Sequence, residues 1–463
     1  LMENFLRKRV LAIISILFTL SCSKEIVIPV IVTTDVHGAF ESLAAVSSEA
    51  SETRNGNSRL ILLDNGDFLQ GTPMLYYFNN ISTKEMNVAA AAMNFMKYDA
   101  VNAGNHDIET GFSVYKKVEK ELSAPFICAN ITELKTPKTL FKPYTVITRD
   151  KKRIAVLALT TKGTAKALKP GEKLNTIGEP MLSSAEKWIR VIKEKESPDA
   201  IIGLFHEGIE ISKEIAEKVD GFDIIFTGHD HLEHNLTVTA LSGKKVLILG
   251  SQDRADSFAK AQIVIKGSKK TVTGEIVLPD KKKKDAGLII ALKKHFELSE
   301  KYELAVTAET STQLTDFTVL SAIHRTLKKI TDAEITITAP VAKNISIPEG
   351  LLTNRDLFKI YPFDNNPVTI SLTGLEIKRL LAYSSDLQSK ESRYKRFYNN
   401  LSAIYSVPVP LEDQRFYTVA MNSYHASDGG SLLSNGAGLN ESELNSRMIR
   451  TYPENIREHL FGN

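Results

Sequence analysis

The sequence predicts a two-domain α/β protein, a layered α/β domain followed by a smaller α/β domain, from three observations. Its 463 residues exceed the ~250–300 at which single cores usually stop growing. From residue 25 to about residue 280, short apolar, β-branched runs alternate with helical patterns, the signature of stacked α and β layers. At 279–284 the composition changes to Pro279-Asp280 followed by four lysines, a solvated charge run that makes a reasonable domain boundary.

The first domain, 25–280, repeats one design. Residues 26–32 run into Thr34-Asp35-Val36-His37, and 60–63 into Asp64-Asn65-Gly66-Asp67. Residues 100–101 lead to Gly104-Asn105-His106-Asp107, 200–205 to His206-Glu207-Gly208, and 222–226 to Gly228-His229-Asp230-His231. Such runs read as strands buried on both faces, and patterns over 183–195 and 211–218 read as helices between them. In such domains ligands gather where loops leave the strand ends. Residues 281–301 read as a linker and a helix, with the helix over 286–298. The second domain, 302–463, has a helix over 318–330, a turn at 360–365 and a glycine-containing loop at 422–430.

Near the start, Arg7, Lys8 and Arg9 precede an apolar run over 10–20 that ends in Ser21-Cys22. A basic stretch, a short apolar core and a small residue before the break fit a secretory signal over 1–22. The run is too short to cross a bilayer, which takes roughly 20 residues. The ending Thr19-Leu20-Ser21-Cys22 resembles a bacterial lipobox, so the expectation is an exported, periplasmic or cell-envelope lipoprotein anchored through Cys22. That leaves Cys128 without a disulfide partner, and it reads as a small buried residue. Hydrophobic residues make up 43% and charged residues 24%, as in an ordinary globular protein, and a net charge of +3 implies no nucleic-acid polymer as partner. Membrane contact is expected only through the anchor.

Chemistry concentrates at the strand ends. Of ten histidines, five (His37, His106, His206, His229 and His231) fall there. Asp35 and His37 occupy alternate positions on an extended segment, so their side chains point the same way. Imidazole and carboxylate donors converging from separate elements suit Zn, Mn, Fe or Co rather than Ca, and a carboxylate such as Asp67 has lone pairs enough to bridge two ions. Neither a G-x-S-x-G elbow nor a glycine-rich phosphate loop ending in Lys-Ser/Thr occurs.

The blocks Thr34-Asp35-Val36-His37-Gly38, Gly66-Asp67-x-x-Gln70-Gly71, Gly104-Asn105-His106-Asp107, His206 and Gly228-His229-Asp230-His231 resemble, in order, those of the calcineurin-like metallophosphoesterases, and the second segment resembles the C-terminal domain of bacterial 5′-nucleotidases. The resemblance implies a β-sandwich flanked by helices and two divalent metal ions. Asp35, His37, Asp67 and His231 would hold one ion; Asp67, Asn105, His206 and His229 would hold the other. It makes His106 a catalytic group over the phosphate rather than a ligand, oriented by Glu109, with Asp107 as a rival for that role. Phe363, Asn365 and Tyr424 fall at substrate-binding positions, the two rings forming a clamp for a nucleobase. One segment departs from the pattern. The family's Asn-Gly-Gly-x-Arg is replaced by Thr338-Ala339-Pro340-Val341-Ala342-Lys343, where only Lys343 offers a cation.

The expected function is metal-dependent hydrolysis of phosphate esters, foremost nucleoside 5′-monophosphates. A cyclic-nucleotide phosphodiesterase or a nucleotide-sugar pyrophosphatase would use the same centre. From another class, a non-catalytic surface-binding lipoprotein would keep the fold without turnover.

Overall fold

Alternation along Ile26–Thr33 shows how the first domain is layered. Ile28, Val30 and Val32 enter one core while Ile31 enters another, because successive strand side chains point to opposite faces. In the computed structural model, which describes residues 25–133, 138–161, 176–389, 401–428 and 432–461, this strand is central to a six-stranded sheet. Across that sheet the order is Lys269–Val277, Phe258–Lys266, Ile26–Thr33, Ile61–Asp64, Ala100–Asn102 and Phe126–Ile127. A second six-stranded sheet runs His234–Thr239, Lys245–Gly250, Ile224–Thr227, Ala200–His206, Lys152–Thr160 and Tyr144–Arg149.

The sheets pack face to face. Ile28, Val30, Ile61 and Leu63 from one meet Val156, Ile202, Leu204 and Phe226 from the other in a fully buried core. Their outer faces carry separate cores, one covered by helices including Phe40–Gly56 and Val88–Met96, the other by Met181–Glu196 and Ile209–Lys218. This is a sandwich flanked by helices, which explains why the strand sequences read as apolar on both faces. The strands from Ile26–Thr33 to Phe126–Ile127 in the first sheet, and from Lys245–Gly250 to Lys152–Thr160 in the second, are parallel, with Val30 level with Ile61, Leu63 with Ala100, Ile154 with Ala200 and Ile224 with Ile202. Their carboxyl ends therefore open on one rim.

Helix Ala286–Glu303 is more than a linker. Asp285 caps it by accepting from the amides of Gly287 and Leu288 and is itself held by the Ser47 hydroxyl at 2.7 Å. Leu288 and Leu292 then join the first domain's helix-side core. The lysines before it are exposed.

The second domain has a five-stranded sheet in the order Ser402–Tyr405, Ile335–Thr338, Phe416–Asn422, Pro367–Thr373 and Met448–Thr451. Helix Gly374–Ser389 packs on one face and helix Asp316–Thr331 on the other. Cys128 is fully buried and unpaired, its thiol pushed up to about 12 by that burial. Residues 1–24, with the signal and Cys22, lie outside the described residues, as do 429–431 of the glycine-containing loop. Among the described residues no helix is long and apolar enough to cross a membrane.

Candidate metal centre

Every side chain of the centre leaves the carboxyl end of a sandwich strand. Asp35 and His37 follow Ile26–Thr33, Asp67 follows Ile61–Asp64, and Asn105 follows Ala100–Asn102. His206 ends Ala200–His206, while His229 and His231 follow Ile224–Thr227. Asp35, His37, Asp67, His229 and His231 all have left-handed backbones, with φ between 47° and 68°. Each such non-glycine residue costs about 1–3 kcal/mol, and strain of this kind clusters where a site demands it. Two close approaches require glycine. A Cβ on Gly104 would sit 2.1 Å from Asp67 Oδ1, and one on Gly228 would sit 2.3 Å from Thr34 Oγ1.

The donors form two groups. Asp35, His37 and His231 offer ligand atoms within 4.8 Å of one another, and Asp67, His206 and His229 do the same. His206 Nε2 lies 2.9 Å from Asp67 Oδ2 and 3.2 Å from Asn105 Oδ1, which also lies 2.8 Å from His229 Nδ1. Asp35 Oδ1 is buried without a hydrogen-bond donor, yet imidazole nitrogens of His231, His206 and His37 surround it at 3.1, 3.9 and 4.0 Å. An acceptor left bare among nitrogens is where a cation fits, since a buried carboxylate must be compensated.

The rings are held from behind. His37 Nδ1 donates to the Gln70 carbonyl at 2.9 Å and His206 Nδ1 to the Asn65 carbonyl at 2.8 Å, leaving each Nε2 for the centre. His231 Nδ1 lies 3.2 Å from Asp253 Oδ2, so its Nε2 faces Asp35. Asp35 is fixed through Oδ2, which accepts from Thr34 Oγ1 at 2.5 Å and the His229 amide at 3.0 Å.

Electrostatics draw positive charge inward. Burial alone would raise Asp35 and Asp67, but surrounding histidines outweigh it and hold both carboxyls well below the usual range. Burial alone would lower His206 and His231, but Asp67 and Asp35 lift the first to about 10, while Asp35 and Asp253 lift the second to about 10. His37 is pushed down to about 4, mainly by burial.

His106 stands beside these groups, its ring 5.4 Å from that of His37. Its Nδ1 is 2.7 Å from Glu109 Oε2. Burial opposes its protonation, but Glu109 and Asp67 raise it to about 9. Asp107 is used elsewhere, accepting from the amides of Asp67, Phe68, Leu69 and Gly104 at 2.8–2.9 Å. The geometry therefore pairs Glu109 with His106 and gives Asp107 the task of bracing the loop that carries Asp67.

From the second domain, Phe363 stacks on His106 with ring centroids 5.4 Å apart and planes 19° off parallel. Asn365 is buried, and its Oδ1 accepts from the Tyr361 hydroxyl at 3.1 Å within its own turn. Tyr424 lies on helix Ser423–Ala426, whose first amide donates to the Asn366 carbonyl at 2.8 Å, so the two aromatic loops adjoin. Lys343 is exposed on the loop after Ile335–Thr338. The sequence reading missed Asp253, although it too follows an apolar run, Lys245–Gly250. Its neighbour Arg254 donates its amide to the Asp35 carbonyl at 2.8 Å, with a half-exposed side chain.

Comparison with known proteins agrees with this geometry. Residues 28–233 match the family model for calcineurin-like phosphoesterase, and residues 299–434 match that for the 5′-nucleotidase C-terminal domain. The chain is 24% identical to the trifunctional nucleotide phosphoesterase protein YfkN of Bacillus subtilis over 75% of its own length, and 22% identical to protein UshA of Escherichia coli over 92%. It spans 27% of the former's length and 90% of the latter's, and about a third of other UshA relatives. In fold it resembles a putative 5′-nucleotidase from Staphylococcus aureus with a TM-score of 0.74 at 17% identity, covering 94% of this chain and 96% of that one.

Proposed function

Since the chain belongs to the calcineurin-like phosphoesterases that carry a 5′-nucleotidase C-terminal domain, we propose that it hydrolyses phosphate esters, foremost nucleoside 5′-monophosphates, with two divalent ions. Asp35, His37, Asp67 and His231 would hold one ion and Asp67, Asn105, His206 and His229 the other, a donor set suited to Zn, Mn, Co or Fe. The observation that carries this reading is the pair of buried donor groups beside His106 on one rim. When bound, the ions supply an activated water and neutralise charge on the phosphoryl oxygens.

The protein's own residues do the rest. His106, with Nδ1 committed to Glu109, presents Nε2 as a donor to the charge that develops on phosphate. Glu109 keeps that proton in place, and Asp107 keeps Asp67 in place. Phe363 and Tyr424 offer ring faces to a nucleobase, since stacking accepts any base. The test is a phosphate-release screen over nucleoside mono-, di- and cyclic phosphates with added Mn, Zn or Co. Release from monophosphates supports this reading. A metal-loaded protein releasing phosphate from none of them would instead support the non-catalytic one.

A second reading, cyclic-nucleotide or nucleotide-sugar hydrolysis, is favoured by the absent arginine of the Thr338–Lys343 segment, because a different grip on phosphate suits a different ester. The same screen separates the two. We also place the protein in the cell envelope, anchored through Cys22, on the strength of the basic, apolar and Ser21-Cys22 pattern. Cys22→Ser should then move it from the membrane to the soluble fraction of its host. An unmodified mature terminus elsewhere, found by mass spectrometry, would refute the anchor.

A further inference from the structure

Arg457 has the largest side chain among the fully buried residues, 2% exposed, and sits on the C-terminal turn. A guanidinium out of water must have its N–H groups engaged. Here Nη1 donates to the carbonyls of Tyr361 at 3.3 Å and Phe363 at 3.1 Å, and Nη2 donates to Asp364 Oδ1 at 2.5 Å. The flat face of the group lies 3.6 Å from the Phe358 ring centroid and 5.0 Å from that of Tyr76. Other contacts fasten the same turn. The Ile456 amide donates to the Asn365 carbonyl at 2.9 Å, and Asn366 Nδ2 donates to the carbonyls of Pro453 and Glu454 at 3.1 and 2.8 Å.

The next residue reaches across to the other domain. The Tyr76 hydroxyl donates to Glu458 in a short hydrogen bond, while its ring stacks on Tyr302 at 6.0 Å and meets Phe358 edge-on at 5.8 Å. Tyr76 ends helix Pro73–Tyr76, which follows directly on the loop that carries Asp67. One turn of chain therefore grips the backbone of Phe363 with one residue and the neighbourhood of Asp67 with the next. Phe363 in turn lies against His106.

We propose that Arg457 and Glu458 are positioning residues that set where Phe363 stands over the metal centre, and so determine affinity for the base of a nucleotide. The inference rests on Phe363 being a substrate-stacking ring, as under the proposed function. Three forked contacts to one turn need a planar guanidinium, which lysine cannot replace. None of these contacts is made by a metal donor, and they reach His106 only through the Phe363 ring.

The test uses the full chain with Mn, AMP and 4-nitrophenyl phosphate as substrates, and adenosine binding by calorimetry. Tyr76→Phe and Glu458→Ala each remove the interdomain bond and keep the rings. Each should raise KM for AMP and Kd for adenosine about five- to tenfold, the scale of one ordinary net hydrogen bond on a partly exposed surface. Metal content and kcat for 4-nitrophenyl phosphate should not change. Arg457→Lys should have the larger effect on KM, provided circular dichroism shows it folded. Wild-type KM and Kd in Tyr76→Phe and Glu458→Ala would overturn the proposal, as would equal losses on both substrates or a wild-type protein that binds no adenosine. If wild type binds adenosine but hydrolyses neither ester, the activity reading fails, and the Kd series alone still tests the positioning role.

Discussion

In the first domain, seven donors sit at strand ends, five of them on strained backbones, and neighbouring groups hold several of their rings and carboxylates from behind. In the second, Phe363, Asn365 and Tyr424 sit on adjoining loops whose conformation depends on a distant C-terminal turn. The contrast is between a site built into a scaffold and a site assembled from loops. Parallel strands deliver ligands at their carboxyl ends, and nearby carbonyls and carboxylates lock each ring. The aromatic loops take their shape from Arg457, Asn366 and Ser423. Substitutions in the first region should therefore abolish chemistry, while those in the second should redistribute affinity among substrates.

The largest effect is expected at Asp67, which faces His206 through one oxygen and accepts the His106 amide through the other at 2.8 Å. Asp67→Asn should lower the content of both metals and turnover together, measured by elemental analysis and phosphate release. Full occupancy with normal turnover would break the bridging assignment. Next is His106. His106→Ala should keep its metals and lose about 10²-fold in kcat, the scale of one preorganised donor. Loss of metal would make His106 a ligand. Glu109→Gln should reproduce part of the kcat loss at unchanged stability. Asp107→Asn should instead lower the melting temperature, because four loop amides share its carboxylate.

A subtler break in the comparison comes at Asp253. Asp253→Asn should weaken the metal site containing His231 by about 10- to 100-fold, the usual cost of losing an outer-shell partner, while leaving the site containing His206 filled. Titrating Mn into the apoprotein would reveal two unequal sites. Equal weakening of both would show that Asp253 supports the whole rim rather than one ring.

Asp253 also marks where the sequence was legible and where it was not. Asp35, His37, Asp67, Asn105, His206, His229 and His231 could be picked out because each follows an apolar run, and the resemblance of those blocks to the calcineurin-like metallophosphoesterases supplied their roles as ligands. Asp253 ends a similar run, but Ser251-Gln252-Asp253 follows no ligand motif, and its role appears only when the chain folds back on His231. The rivalry of Asp107 and Glu109 could not be decided from spacing, since both lie within one helical turn of His106. Packing decides it, by turning Asp107 toward the Asp67 loop. Helix Ala286–Glu303 shows the same limit. Composition marks the lysines before it as a boundary, but only burial of Leu288 and Leu292 reveals its attachment to the first domain. In the second domain Arg457 is invisible as an isolated arginine near the chain's end, because its partners lie about a hundred residues away.

The smallest expected effect is discrimination among bases. Phe363 and Tyr424 can stack on any base, whereas selectivity needs placed hydrogen bonds that a wrong base would leave unmatched. Asn365, one polar side chain of the Phe363 turn, is buried and spends its oxygen on Tyr361. Purine and pyrimidine 5′-monophosphates should therefore differ by less than about tenfold in kcat/KM, roughly 1.4 kcal/mol. Phe363→Ala should lower kcat/KM for nucleotides about tenfold more than for 4-nitrophenyl phosphate, which needs only the metal centre and His106. Because Phe363 also touches His106, some loss on the aryl ester is expected, so the ratio of the two is what matters. Equal losses would make Phe363 a support for His106 alone and would shift the loop region toward the scaffold side of the comparison. A hundredfold preference for one base would show hydrogen-bonding recognition on the loops beyond what Asn365 and the two rings supply.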